Sequence, residues 1–425
     1  MSAYDPPGTS EGSLDPLGLY QIADQLGVQL VPAVRERMQR IRFLTAMAVG
    51  ALVTEDLEEL PEHRDASPYL VWEWLFVESV IRSVDDTSSD WGIPGTLVAH
   101  RALDQQGYLD ARSYLKTPRI FGFHGVYKRL AHHLGIVDVH LRPGLHTEGL
   151  VNAWAKGKGL GGIEGAKPMM DRWGEAVRRS MNQKPPHTRP GWSNAAWQEL
   201  AHSFLPSQCK TPERRFLREL LHSAGESRLG ALPVIWELHA EFSDDEFQEH
   251  LLHHRLAARA AEYRPLLDAI RTYEAFSRRL QNAFDILKAK AVTNDAKGYV
   301  VTDIAKDSEF QQCTRDLHKH FELAHQQLGE VAGLQLSLQN LFDDRFRAFA
   351  DPMDTGTVAL NLCAHHESIQ REKSDTGKRP WFDRLGPSRI YIRHGYRKPR
   401  PENPLDLYVH DYRGRPIRRF LKDLS

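Results

Sequence analysis

The strongest constraint in this chain is apolar spacing at intervals of three and four residues, which a helix turns into one continuous face. It recurs in 31–55, VPAVRERMQRIRFLTAMAVGALVTE, and in 67–84, SPYLVWEWLFVESVIRSV, the second apolar on nearly every side. A helix apolar all round belongs in a core, so 67–84 is predicted to be central to the N-terminal half. Within it Glu78 and Arg82 stand four residues apart and read as an ion pair. The alternative there is a catalytic carboxylate at Glu73 or Glu78. Further on, Leu266, Ile270, Tyr273, Ser277, Leu280, Phe284 and Leu287 trace one stripe, and Leu317, Phe321, Ala324, Leu328, Val331, Leu338 and Leu341 trace another. The segment VTNDAKGYVVTD at 292–303 joins them, so an antiparallel helical hairpin is expected, packed as a bundle or, alternatively, offered to a partner as a coiled coil.

A chain of 425 residues exceeds the usual single domain. The boundaries read as a flexible tail over 1–15, a helical domain over 16–182, a proline-interrupted linker over 183–195, a helical domain with the hairpin over 196–350, and a separate module over 351–425. A formal charge of −1 names no partner for the whole chain. Its distribution is uneven: residues 365–425 carry 15 Lys/Arg against 8 Asp/Glu, which makes the last module basic. Cys209, Cys313 and Cys363 form no CxxC pair, so neither a disulfide framework nor a cysteine zinc ribbon is encoded. The start, MSAYDPPGTSEGSLDP, lacks the basic-then-apolar order of a secretory signal, and LTAMAVGALV at 44–53 is too short to span a bilayer. A cytoplasmic protein with no membrane segment is expected.

The segment 93–157 carries an ordered series. A helix at about 95–105 is followed by YLDARSYL, a breaker FGFHG, a helix VYKRLAHHLG, an apolar run IVDVHL, a Pro-Gly turn and a helix TEGLVNAW. That order resembles a winged helix-turn-helix domain. The resemblance implies that helix 124–134 is a recognition helix offering Tyr127, Lys128, Arg129, His132 and His133 to DNA, where lysine and arginine suit phosphates or guanine edges. The wing, RPGLH at 142–146, is short and carries one arginine. The alternative is a winged fold used between proteins.

Other motifs are incomplete. GKGLGG at 157–162 matches GxGxxG but follows a helix, so it reads as a turn, and Gly165-Ala166-Lys167 lacks the ending of a phosphate-binding loop. His250, His253 and His254, and likewise His318, His320 and His325, have helical metal spacing without an HExxH order or a distant ligand. Asp295-Ala296-Lys297 imitates the end of a nuclease site without its strands. There is no GxSxG. No cofactor and no metal are expected.

The stretch HHESIQREKSDTGKRPWF at 365–382 is the densest in chemistry. On a helix over 355–373, His366, Gln370 and Lys373 share a polar stripe while Leu362 and Ile369 face the core. Lys378 and Arg379 follow the turn at Thr376-Gly377, and Trp381 and Phe382 anchor the chain. An imidazole, an amide and neighbouring cations make a place for a phosphate, the alternative being a plain solvated helix end beside the Trp/Phe anchor. Arg393, Arg397, Lys398, Arg413 and Arg415, interleaved with Tyr391, Tyr396, Tyr408 and Tyr412, extend it as a nucleic-acid surface. SRIYIR at 388–393 reads as a strand, and the runs flanking Gly414 read as a β-hairpin.

The chain is therefore expected to be mainly α and multi-domain, with a winged-helix-like N-terminal unit and a small basic α/β C-terminal module. The expected function is a non-enzymatic nucleic-acid-binding or scaffolding subunit of a bacterial DNA-handling or antiviral (phage-defence) complex, binding DNA in preference to RNA and protein partners through the long helices. Two alternatives stand beside it: a metal-dependent nuclease using His365 or His366 with Glu367 or Glu372, and a protein–protein adaptor without nucleic acid.

Overall fold

The computed structural model describes residues 15–57, 66–83, 91–115, 118, 122–223, 229–243, 247–293, 298–331, 335–373, 378–397, 399–400 and 403–425. They fall into two compact units, each discontinuous in sequence. The first comprises Val31–His239 and Arg413–Ser425; the second comprises 15–30 and Ala240–Tyr412. Among the described residues there are 17 α-helices and one three-stranded antiparallel sheet. The mainly helical expectation therefore holds, and no described helix is long and apolar enough to cross a membrane.

In chain order, α1 (Tyr20–Leu30) contributes to the second unit. The first unit holds α2 (Phe43–Glu55), α3 (Pro68–Ser83), α4 (Thr96–Gln106), α5 (Phe123–His133), α6 (Thr147–Gly157), α7 (Ile163–Met181), α8 (Asn194–Ser203), α9 (Thr211–Ser223) and α10 (Leu232–His239). The second continues with α11 (Glu249–Arg259), α12 (Arg264–Thr293), α13 (Ser308–Thr314), α14 (Leu317–Glu330), α15 (Gln335–Phe346) and α16 (Thr355–Glu372), and α17 (Gly414–Leu424) returns to the first.

The core of the first unit is built on α2 and α3, both buried nearly all round as their composition requires. Trp72 and Trp74 are fully buried, and the stacked pair Trp154 and Phe204, with centroids 5.6 Å apart, packs against Trp173. Gly50 makes room for this: a Cβ there would lie 2.2 Å from Trp72 Nε1. Gly50→Ala is expected to destabilise the unit by about 1–3 kcal/mol through overpacking, read as a lower midpoint in urea unfolding. An unchanged midpoint would mean that the indole shifts freely.

The helix expected over 31–55 begins only at Phe43. Pro32 disfavours helix at Val31. The N–H groups of Gln39, Arg40 and Ile41 instead reach side chains, the first two the Tyr127 hydroxyl at 2.8 and 3.1 Å and the third Asp423 at 3.1 Å. The proline-interrupted stretch 182–195 lies inside the first unit rather than between domains. There Thr188 accepts the Leu109 N–H at 2.8 Å and donates to Glu78, and Glu78 pairs with Arg82 at 2.6 Å.

In the second unit the α12 stripe is buried from Leu266 to Leu287, and α14 packs along it. The partner stripe is divided: α14 ends at Glu330 and α15 starts at Gln335, where Phe342 rather than Leu341 is buried. The hairpin is also indirect, because a 3-10 turn at Val301–Lys306 and α13 intervene. The sheet has the order β1-β3-β2, with β1 at Tyr299–Val300, β2 at Phe382–Arg384 and β3 at Arg389–Ile392. Its register sets Tyr299 against Ile390 and Phe382 against Ile392.

The β-hairpin expected around Gly414 is not formed. Residues 414–424 are helix, with Pro416 in the first turn, where its missing N–H costs nothing. Ile417, Phe420 and Leu424 are buried at helical spacing, so period 3.6 prevails over a six-residue run that reads equally well as a strand.

Candidate nucleic-acid interface and a cationic pocket

The segment 93–157 forms α4, α5, a turn closed by an antiparallel bridge between Val137 and Pro143, and α6. Its placement depends on Glu73, which α3 carries fully buried beneath the start of α5. Glu73 Oε1 accepts the Phe123 N–H at 3.0 Å and the Tyr114 hydroxyl at 2.8 Å; Oε2 accepts the His124 N–H at 3.0 Å and contacts His124 Nδ1. A carboxylate on the first free N–H groups of a helix satisfies those donors and the positive end of the helix together. Glu73 is thus an internal cap, its oxygens engaged within the core.

Helix α5 divides by face. Tyr127 is fully buried between Phe43 and Phe123, and burial pushes its hydroxyl pKa up. It is therefore part of the core rather than of a surface offered to DNA, a correction to the sequence reading. Lys128 is half-buried, while Arg129 and His132 are exposed. The adjoining turn is shaped by Asp138, whose carboxylate accepts the N–H groups of His140 and Arg142 at 2.7 and 2.9 Å. It exposes Val139 and Leu145.

The polar stripe of α16 exists, but the chain's own backbone fills it. His366 Nδ1–H donates to Pro16 O at 2.8 Å while its Nε2 accepts the Trp381 N–H at 3.0 Å, so the imidazole is the neutral tautomer. His365 donates to Leu17 O at 2.8 Å, Gln370 to Pro16 O at 3.4 Å, and Lys373 to Asp15 O. Burial pulls the His366 pKa down to about 3 and that of Lys373 to about 8. His366 and Gln370 have no solvent exposure. They hold residues 15–17 where a phosphate was expected, and His366 is neither a base nor an open anion site in this structure.

Most of the basic tail is likewise engaged. Arg384 forks onto Glu367 at 2.7 and 2.9 Å, Arg393 pairs with Asp383 at 3.0 Å, and Arg400 pairs with Glu309. Arg397 donates to Ile392 O at 2.9 Å and covers the Tyr391 ring. Tyr396 stacks on Trp381, and the Tyr412 hydroxyl donates to buried Glu274 at 2.6 Å. Arg413 is buried, at a φ of 80°, and opens α17, with Arg415 exposed behind it. Lys378 is half-buried and Arg379 exposed. Lys398 and the triplet Asp295-Ala296-Lys297 lie outside the described residues.

The histidine clusters do not converge. His253 is buried against Tyr408 and Tyr412 while His254 is exposed, and no group of three His, Cys, Asp or Glu among the described residues is placed to hold a metal. The cysteines are buried and free, with burial pushing the Cys209 and Cys363 thiols up to about 12.

A pocket of about 490 Å³ in the first unit is lined by Arg42, Gly157, Lys158, His202, Leu205, Gln208 and Lys210. Gly157 and Lys158 open the GKGLGG turn, in which Gly159, Gly161 and Gly162 take positive φ. Arg42 is buried at its base; Nε lies 3.1 and 3.2 Å from the two oxygens of buried Glu213, which also accepts Thr45 Oγ1 at 2.7 Å. Arg42 Nη1 donates to Leu205 O. Lys158 reaches Ser203 Oγ at 3.3 Å, and its pKa is lowered by burial and then by the Arg42 guanidinium. Sequence reading singled out the glycine turn but not Arg42, His202 or Lys210, which come from separate segments without a shared motif.

Compared with known proteins, the chain matches no family model, no curated protein and no solved structure.

Proposed function

We propose that the protein is a nucleic-acid-binding or scaffolding subunit that holds a phosphate backbone through the first unit without cutting it. The observation that carries this reading is the outer edge of α5, where Lys128, Arg129 and His132 face outward while the opposite side is locked into the core by Phe123, Val126, Tyr127 and Leu130. A rigid helix with its cations outward and a short turn beside it has the arrangement by which winged helices meet a duplex. Lys378 and Arg379 are the tail residues that retain this role. Arg384, Arg393, Arg397 and Arg400 are engaged with carboxylates or backbone and Arg413 is buried, which weakens the tail as a groove, while Arg415 is exposed.

The test is binding of the full chain to duplex DNA, single-stranded DNA and RNA across a salt series, with magnesium and manganese present to reveal cleavage. Lys128→Ala with Arg129→Ala is expected to weaken duplex binding and to lower the slope of log K against log salt by about 2, one phosphate contact being worth about 0.9. Equal binding and an unchanged slope in the double variant would remove α5 from the account. Cleavage would replace the binding subunit with a nuclease.

A further inference from the structure

We infer that the pocket formed by Arg42, Lys158, His202, Gln208 and Lys210 is a site for a phosphate monoester. This goes beyond the α5 reading and does not depend on it.

The argument begins with charge. Arg42 is cancelled by Glu213 behind it, which leaves Lys158 and Lys210 as the net charge of the lining and matches the dianion of a monoester near neutral pH. Among the described residues the side chains of Lys210, His202 and Gln208 have no hydrogen-bond partner, and Arg42 uses Nε and Nη1, leaving Nη2. Five side chains, drawn from residue 42, residue 158 and the stretch 202–210, therefore line one concavity with donor groups.

Geometry adds preorganisation. The Arg42 guanidinium is fixed on two sides before any ligand arrives, so little rotamer freedom remains to be lost. Gly157 lets the Lys210 stem lie against the end of α6: a Cβ on Gly157 would stand 3.0 Å from Lys210 Cβ. That contact brings Lys158 and Lys210 to the same rim. Lys210 also immediately precedes α9, whose positive end favours an anion nearby. The lowered pKa of Lys158 agrees, since its main cause is burial and an anion beside the ammonium would offset that desolvation. Three terminal oxygens use this many donors better than the two of a carboxylate. The volume of about 490 Å³ exceeds that of a phosphate and leaves space for the sugar that carries it.

The ligand has two possible sources, the 5′ end of a nucleic acid or a free small phosphate. Calorimetric titration of the full chain with adenosine 5′-monophosphate against adenosine tests the second, and a 5′-phosphorylated against a 5′-hydroxyl oligonucleotide tests the first. Saturable binding that requires the phosphate in either pair supports the site and names its source. Lys210→Ala and Lys158→Gln should each weaken that binding about tenfold or more, with the unfolding midpoint unchanged in Lys210→Ala, whose side chain is exposed at the rim. Two results would overturn the inference: no phosphate-dependent binding up to about 10 mM in either pair, or binding that both variants leave intact. Duplex binding through α5 can fail while monophosphate binding holds, so the two claims fall separately.

Discussion

Glu73→Ala is expected to remove about 3–5 kcal/mol from the stability of the first unit, a large part of the 5–15 kcal/mol typical of a folded domain. The carboxylate lies in the core and holds the Phe123 and His124 N–H groups, the Tyr114 hydroxyl and the His124 imidazole. Alanine leaves all of these donors buried without their acceptor, and each unsatisfied group carries its own desolvation cost. Glu73→Gln should cost less, about 1–3 kcal/mol, because one oxygen remains while the amide nitrogen turns a donor toward donors. Urea unfolding followed by tryptophan fluorescence reads both, since Trp72 and Trp74 lie in the same helix. A loss below about 1 kcal/mol in Glu73→Ala would show that the start of α5 repacks without its cap.

The second unit is expected to lose stability in mild acid through His366. Burial, reinforced by the charges of Lys373 and His365, holds its imidazole at about 3, against the bond to Pro16 O, which acts the other way. An unfolded histidine titrates near 6.5. Between these values the unfolded chain binds a proton that the folded chain refuses, so the contribution is complete above about pH 6.5 and is lost as pH falls toward 3. Its size is at most on the order of 5 kcal/mol. His365, also lowered by burial, acts in the same direction. Unfolding midpoints at pH 7, 6 and 5 should fall steadily in the native chain and more shallowly in His366→Gln. Parallel slopes would place the acid sensitivity elsewhere.

What could be read from the sequence depended on how local the signal was. The buried stripe of α12, the all-round burial of α3 and the Glu78–Arg82 pair come from spacing within one segment, and they stand as expected. The stripe of His366, Gln370 and Lys373 was equally visible, but its partner was not. The carbonyls it holds lie some 350 positions earlier, in a segment whose composition suggests only a loose tail. A polar stripe looks the same whether it receives phosphate or backbone oxygen. Six residues after Gly414 fit a strand as well as a helix, and only the burial of Leu424 with Ile417 and Phe420 decides between them. The pocket was hidden for the same reason as the N-terminal segment: Arg42, Lys158 and Lys210 share no spacing rule.

The discontinuity of both units bears on how the chain is made. A ribosome releases the first unit through Leu238 long before it supplies α17, although Arg40 and Ile41 bond to Asp423 across 383 and 382 positions. The segment 15–30 emerges before the rest of its unit and waits for Tyr273 of α12, which bonds to Leu19 O, and then for His366 of α16. Neither unit can close in the order of synthesis, and contacts of such sequence separation are slow to form. The places that receive α17 in the first unit and the segment 15–30 in the second therefore stay open until late in translation, which makes the nascent chain a natural client for holding chaperones.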